Sequence, residues 1–233
     1  MKRWGILITV FYLLITLLLF APGFIALISK WSSVAHLLRE ALQAYQEWLI
    51  WLWAGIFVGG QALLLFLSVD TSWRHAKPRQ HVAVTAVLAS FFAAILMGSA
   101  LFALEVSVYG DHAPPLWKGK EGWFAVTMVA IWIGAWIIWG SLFYKYYRDS
   151  SDAVSAAVSW LLKGSVLELL IAVPTHVIVR QRGDCSAPVV TGFGIVTGIA
   201  IMLMCFGPGV LALYKKKFDA YSGKRDQRAD GRA

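Results

Sequence analysis

The chain has 233 residues, of which 59% are hydrophobic and only 15% charged, at a mean hydropathy of +0.65. Soluble domains carry about a quarter charged residues, so this balance excludes an ordinary water-soluble globule. The net charge of +8 arises from basic residues flanking apolar runs, with no nucleic-acid reading motif, so nucleic acid is excluded as a partner and the lipid bilayer is expected.

The N-terminus opens with Lys2 and Arg3, followed by an apolar stretch from Gly5 to Ile28. That stretch is longer than the 7–15-residue core of a secretory signal, and no A-x-A cleavage site follows it. It is expected to be a retained first membrane span.

Between this span and the next, Trp31, Val34, Leu38, Leu42, Tyr45 and Trp48 recur at three- or four-residue steps. Such spacing lines one side of a helix, with Ser32 or Ser33 placed to cap its start. The expectation is an amphipathic interfacial helix with its apolar stripe on the bilayer; a lid or a docking surface is the alternative.

Five more spans follow: Trp48 to Val69, Val82 to Val108, Trp123 to Tyr144, Ala153 to Val179 and Val189 to Tyr214. Each has the roughly 20 residues that cross a ~30 Å hydrocarbon core. The unbroken runs do not alternate like barrel strands, so the fold class is all-α: a six-helix membrane bundle over residues 1–214, then a basic cytoplasmic tail over 215–233. Tryptophans near span ends, including Trp48, Trp123 and Trp160, fit an interfacial aromatic belt.

Orientation follows from the basic residues. Lys2, Arg3, Arg74, Lys77, Arg79, Lys145, Arg148 and seven in the tail fall on one side; Lys30, Arg39, Lys118, Lys120, Arg180 and Arg182 fall on the other. Positive charge favours the cytoplasm, so both termini are expected inside, in a bacterial inner membrane.

The fifth span carries the chemistry. Lys163 lies near the inner interface, marked by Trp160, and can snorkel to water. Glu168 lies eight residues from Trp160, about 12 Å deeper at 1.5 Å per residue. An acid at that depth must face protein, water or a partner. Gln61, at similar depth in the second span, is the expected hydrogen-bond partner, with the carboxyl protonated. The pair is either a structural bond between helices or a site that binds an ion or relays a proton.

Pro174 removes a backbone donor and marks a kink or hinge, which a Thr175 hydroxyl bond to Ile171 would ease. Glu105 and His176 are expected as a polar pair near the outer surface. In the sixth span, Gly194 and Gly198 form a GxxxG, and Gly207, Pro208 and Gly209 mark a helix break.

No metal or cofactor is expected. His36, Asp111, His112, Asp184 and Cys185 share the outer side without ligand spacing, and His81 and His176 lie at opposite depths, unlike haem ligands. Met202 and Cys205, ligand types suited to Cu(I), fit packing better. Nucleotide loops, nucleophile elbows and HExxH are missing from the sequence. The expected function is a non-catalytic accessory or scaffold subunit assembled with other membrane proteins. The alternative is a small ion- or proton-coupled transporter or channel using Glu168.

Overall fold

Hydrocarbon offers no partner for backbone N–H and C=O groups, so an apolar stretch of this length satisfies them internally as a helix. The computed structural model describes residues 2–28, 33–70, 78–110, 121–148, 153–183 and 186–206, and no strand occurs among them. The helices are α1 (Lys2–Leu18), α2 (Phe24–Ile28), α3 (Val34–Ala44), α4 (Trp48–Asp70), α5 (Pro78–Tyr109), α6 (Glu121–Tyr147) and α7 (Ala153–Arg182). The last described helix is α8 (Ala187–Phe206).

Six segments are long and apolar enough to cross a membrane, namely Ile6–Ile28, Trp48–Leu67, Val82–Tyr109, Val126–Tyr147, Ala153–Arg182 and Ala187–Phe206. They coincide with the six expected spans to within a few residues at most ends. The sixth was expected to reach Tyr214; residues beyond Phe206 lie outside the described part, as do Gly207, Pro208, Gly209 and the basic tail.

The first span is not one uniform helix. Pro22 has no N–H to give the Leu18 carbonyl, and the chain widens into a π-turn over Leu19–Gly23 before α2 begins. The Tyr45 hydroxyl reaches this region and donates to the Leu17 carbonyl at 2.9 Å. Burial raises the Tyr45 phenol above its ordinary value, which keeps the hydroxyl a donor.

Helix α3 forms where the stripe predicted it. Its N-cap is Ser33, whose side chain accepts from the His36 N–H at 3.3 Å. Of the described stripe residues only Tyr45 joins the side that packs. Ala41, with Leu37 and Ala44 beside it, meets Ala21 and Ile25, while Val34, Leu38 and Leu42 stay exposed.

Helix α8 is the central post. It is the most buried of the six spans, and it touches all four helices of the surrounding ring. Tyr12 of α1 donates to its Ala200 carbonyl at 2.7 Å. Trp53 of α4 stacks edge-on against its Phe193, at a centroid distance of 5.1 Å. The main core joins Tyr12, Phe57, Phe92, Leu161, Ile201 and Met204, one or more residues from each of these helices.

Helix α6 stands outside this ring against α5. It is held by edge-on rings, Phe91 on Trp132 at 5.7 Å and on Trp136 at 5.3 Å. None of its described residues is buried.

Two arginines tie neighbouring helix ends together. Helix α7 runs past the expected Val179 to Arg182 and ends at Gly183, which takes the left-handed φ of 77° that suits glycine. Arg180 donates to the Leu27 carbonyl at 2.7 Å, and Arg182 to the Ser107 carbonyl at 2.6 Å. Both acceptors lie in last turns, of α2 and α5, where helix carbonyls lack intrahelical donors.

Candidate functional site

Helix α7 turns a mixed face inward: Leu161, Ser165, Glu168, Ala172, Thr175, His176 and Val179 are all buried. Three of these side chains settle locally. Ser165 donates back to its own helix at the Leu161 carbonyl, 3.0 Å away. Thr175 does the same to Ile171 at 2.8 Å, as expected beside Pro174, and α7 continues unbroken through that proline. Pro174 therefore sits inside one continuous helix.

Glu168 cannot be satisfied locally. It is 2% exposed, and its Oε1 accepts from the Ser99 hydroxyl of α5 at 2.7 Å. Its Oε2 is buried with no hydrogen-bond partner. No cation is paired with it among the described residues.

Room for the carboxyl comes from α8. A Cβ placed on Gly198 would overlap Glu168 Oε2 and lie 3.2 Å from Leu169. One placed on Gly194 would lie 2.6 Å from Ser99 Oγ and 3.1 Å from Glu168 Oε1. Both glycines thus face the acid and its donor, and a side chain at either would displace them. Three helices, α5, α7 and α8, meet at this one group.

The structure does not join Gln61 to Glu168 by a hydrogen bond. Gln61 is itself 2% exposed, and its Oε1 is buried without a partner. The reason is the arrangement of helices: α4 lies mainly along α1 and only brushes α7. Ser99 takes the place expected for Gln61. Depth alone points to it, since Ser99 lies nine residues, or about 14 Å, inside the expected outer end of its span.

Toward the C-terminal end of α7, His176 is 5% exposed. Its Nδ1 lies 2.8 Å from Thr191 Oγ1 of α8, and its Nε2 is buried without a partner. Glu105 is half-buried on α5, and its carboxyl makes no hydrogen bond among the described residues. The expected Glu105–His176 pair is therefore not joined, and Thr191 is the residue that sequence reasoning missed. Because α7 extends to Arg182, His176 stands six residues from the helix end rather than three.

No group of three or more His, Cys, Asp or Glu able to hold a metal occurs among the described residues. Asp111, His112, Asp184 and Cys185 lie outside them. Chemically, the described residues offer a buried carboxyl group midway along α7 and an imidazole nearer its C-terminal end, both on the α7–α8 seam.

The seat of the carboxyl can be tested by unfolding the detergent-solubilised protein reversibly. Gly198→Ala is expected to cost about 1–3 kcal/mol, because the new methyl pushes the carboxyl off Ser99. In Glu168→Ala the collision partner is gone, so the two changes together should cost at least about 1 kcal/mol less than their sum. Glu168→Gln keeps the oxygen that accepts from Ser99 and should cost under about 1 kcal/mol. No protein-family model, curated protein or solved structure matches the chain, so the site is described from its own geometry.

Proposed function

We propose that the chain is a multi-pass inner-membrane protein of a bacterium and acts as a non-catalytic accessory or scaffold subunit of a larger membrane assembly. What carries this reading is the outer face of α4. Gly55 and Gly59 are exposed one turn apart, and no atom lies within 4 Å of where a Cβ would stand on either. Leu52, Leu63 and Phe66 extend the same exposed side. Small residues at this spacing let two helix backbones approach closely, which lipid chains alone do not require. Helix α6 adds a second open surface, where Met97, Ile131, Gly134, Ile138 and Leu142 line an apolar groove. The exposed stripe of α3, with Val34, Leu38 and Leu42, is assigned to the bilayer interface.

A second reading, a small ion- or proton-coupled transporter or channel, is favoured by one observation: Glu168 Oε2 is buried and unpartnered. An intramembrane acid in that state is a default candidate for proton or ion binding. Both readings place the N- and C-termini in the cytoplasm, from the excess of Lys and Arg on that side.

For the subunit reading, Gly55→Leu and Gly59→Leu fill open space and should change stability by no more than about 1 kcal/mol. Purified from native membranes in mild detergent, the unsubstituted chain is expected to bring partner chains that both variants lose. A chain that purifies alone, or variants that keep every partner, would end that reading. The orientation is checked with a membrane-impermeant thiol reagent on intact cells, which should label Cys185 from outside. Labelling of Cys185 only after the cells are broken would reverse it. For the transport reading, the chain in vesicles should pass protons down an imposed gradient and Glu168→Gln should abolish the flux.

A further inference from the structure

The proline of the first span sets a choice of register. In an α-helix the N–H that Pro22 lacks would be missed by the Leu18 carbonyl, four residues back. Over Leu19–Gly23 the pairing is instead π, five residues back, with the Phe24 N–H on the Leu19 carbonyl. By the same step the missing donor falls on the Leu17 carbonyl. That is the carbonyl to which the Tyr45 hydroxyl donates, at 2.9 Å.

Tyr45 is held in place for this from outside the first span. It is the C-cap of α3, and its own carbonyl accepts from Trp51 Nε1 of α4 at 2.8 Å. Ala41, one turn earlier in α3, packs on Ala21 within the π-turn and on Ile25 beyond it. Helix α3 therefore touches the first span before, within and after the π-turn.

Because a π-turn takes up one residue more than an α-turn, it fixes which side chains α2 shows to its neighbours. In this register Leu27 and Ile28 lie over Gly192 of α8, where an added Cβ would stand 3.6 Å from Leu27 Cβ and 3.2 Å from Ile28 Cγ2. Phe24 meets Phe193 edge-on at 6.4 Å, and Arg180 of α7 donates to the Leu27 carbonyl at 2.7 Å. In an all-α register each residue of α2 would advance by one position, about 100° and 1.5 Å. Ala26 would then face Gly192, Phe24 would replace Ile25 against Ala41, and the Leu27 carbonyl would turn away from Arg180.

We propose that Leu19–Gly23 is a two-register switch, locked in its π form by the Tyr45 hydroxyl and the docking of α3. Each register leaves one carbonyl without the N–H of Pro22, and Tyr45 supplies an outside donor to Leu17. Displacing α3 removes that donor together with the Ala41 contact, so α2 rotates on α8. The change reaches α7, because Arg180, one turn from His176, loses the Leu27 carbonyl. Helix α3 thereby controls how the first span is clasped to α7 and α8. The switch goes beyond the subunit and transport readings and depends on neither.

The test reads which residue of α2 faces Gly192, in the full chain in lipid vesicles with Cys185→Ser and Cys205→Ala as background. Leu27→Cys with Gly192→Cys puts the two Cβ atoms 3.6 Å apart, within the roughly 3.5–4.5 Å of a disulfide. Ala26→Cys with Gly192→Cys reports the α register. Under mild oxidation the Leu27 pair should close at least about fivefold faster than the Ala26 pair. Tyr45→Phe removes the outside donor and should shift that ratio about fivefold toward the Ala26 pair. Pro22→Ala supplies the missing N–H, lets the α form close without a gap, and should shift the ratio the same way. A ratio unchanged by both substitutions would overturn the switch. Two pairs that slow together would also overturn it, because α2 would then have left α8 without changing register. A Leu27 pair slower than the Ala26 pair in the unsubstituted background would overturn the assigned register itself.

Discussion

A carboxyl group far from either water layer needs a donor, and it needs space beside a helix that would otherwise press on it. Ser99 gives the donor, and the bare backbone of α8 at Gly194 and Gly198 gives the space. That single contact fixes the register of three helices at once, because a shift of α8 by one residue would bring a side chain against the acid. The rest of the bundle is consistent with that register. Tyr12 closes α1 onto the Ala200 carbonyl, and the rings of Trp53 and Phe193 close α4 onto the same helix.

The two glycine pairs of the chain show how one spacing serves opposite ends. Gly194 and Gly198 face inward, and their missing side chains are replaced by a carboxyl and a hydroxyl from neighbouring helices. Gly55 and Gly59 face outward with nothing opposite them. The same distinction runs through the aromatics. Phe57 and Phe92 are fully enclosed, whereas the rings of α6 touch α5 on one side and leave the other open. The molecule thus has a closed interior around α8 and open outward faces on α4 and α6.

Polar groups within an apolar bundle are most informative where they are not satisfied. Ser165 and Thr175 return their hydroxyls to their own helix and carry no further chemistry. His176 and Glu168 each make one hydrogen bond across to a neighbour and keep one atom spare. Gln61, Thr16 and Thr197 also keep a spare oxygen, yet none of these side chains changes charge near neutral pH. Glu168 and His176 are therefore the two ionisable side chains that α7 buries among the described residues.

The helical class, the six long apolar segments and the start of α3 follow from the sequence itself. Each depends on local rules: run length against bilayer thickness, the spacing of one helical stripe, and a serine able to cap. The repair of Pro174 by Thr175 was legible for the same reason, since both groups lie within one turn. Partners of Glu168 and His176 were not legible. Depth along a span placed Gln61 and Glu105 as candidates and left Ser99 unnamed, because depth says nothing of rotation about each helix axis or of which helices touch. Those were decided by packing around α8, which set Ser99 and Thr191 against α7 and left Gln61 and Glu105 without it. Likewise the stripe of α3 was visible in the sequence, but the side that docks, centred on Ala41, was decided by where the fold puts Ala21 and Ile25.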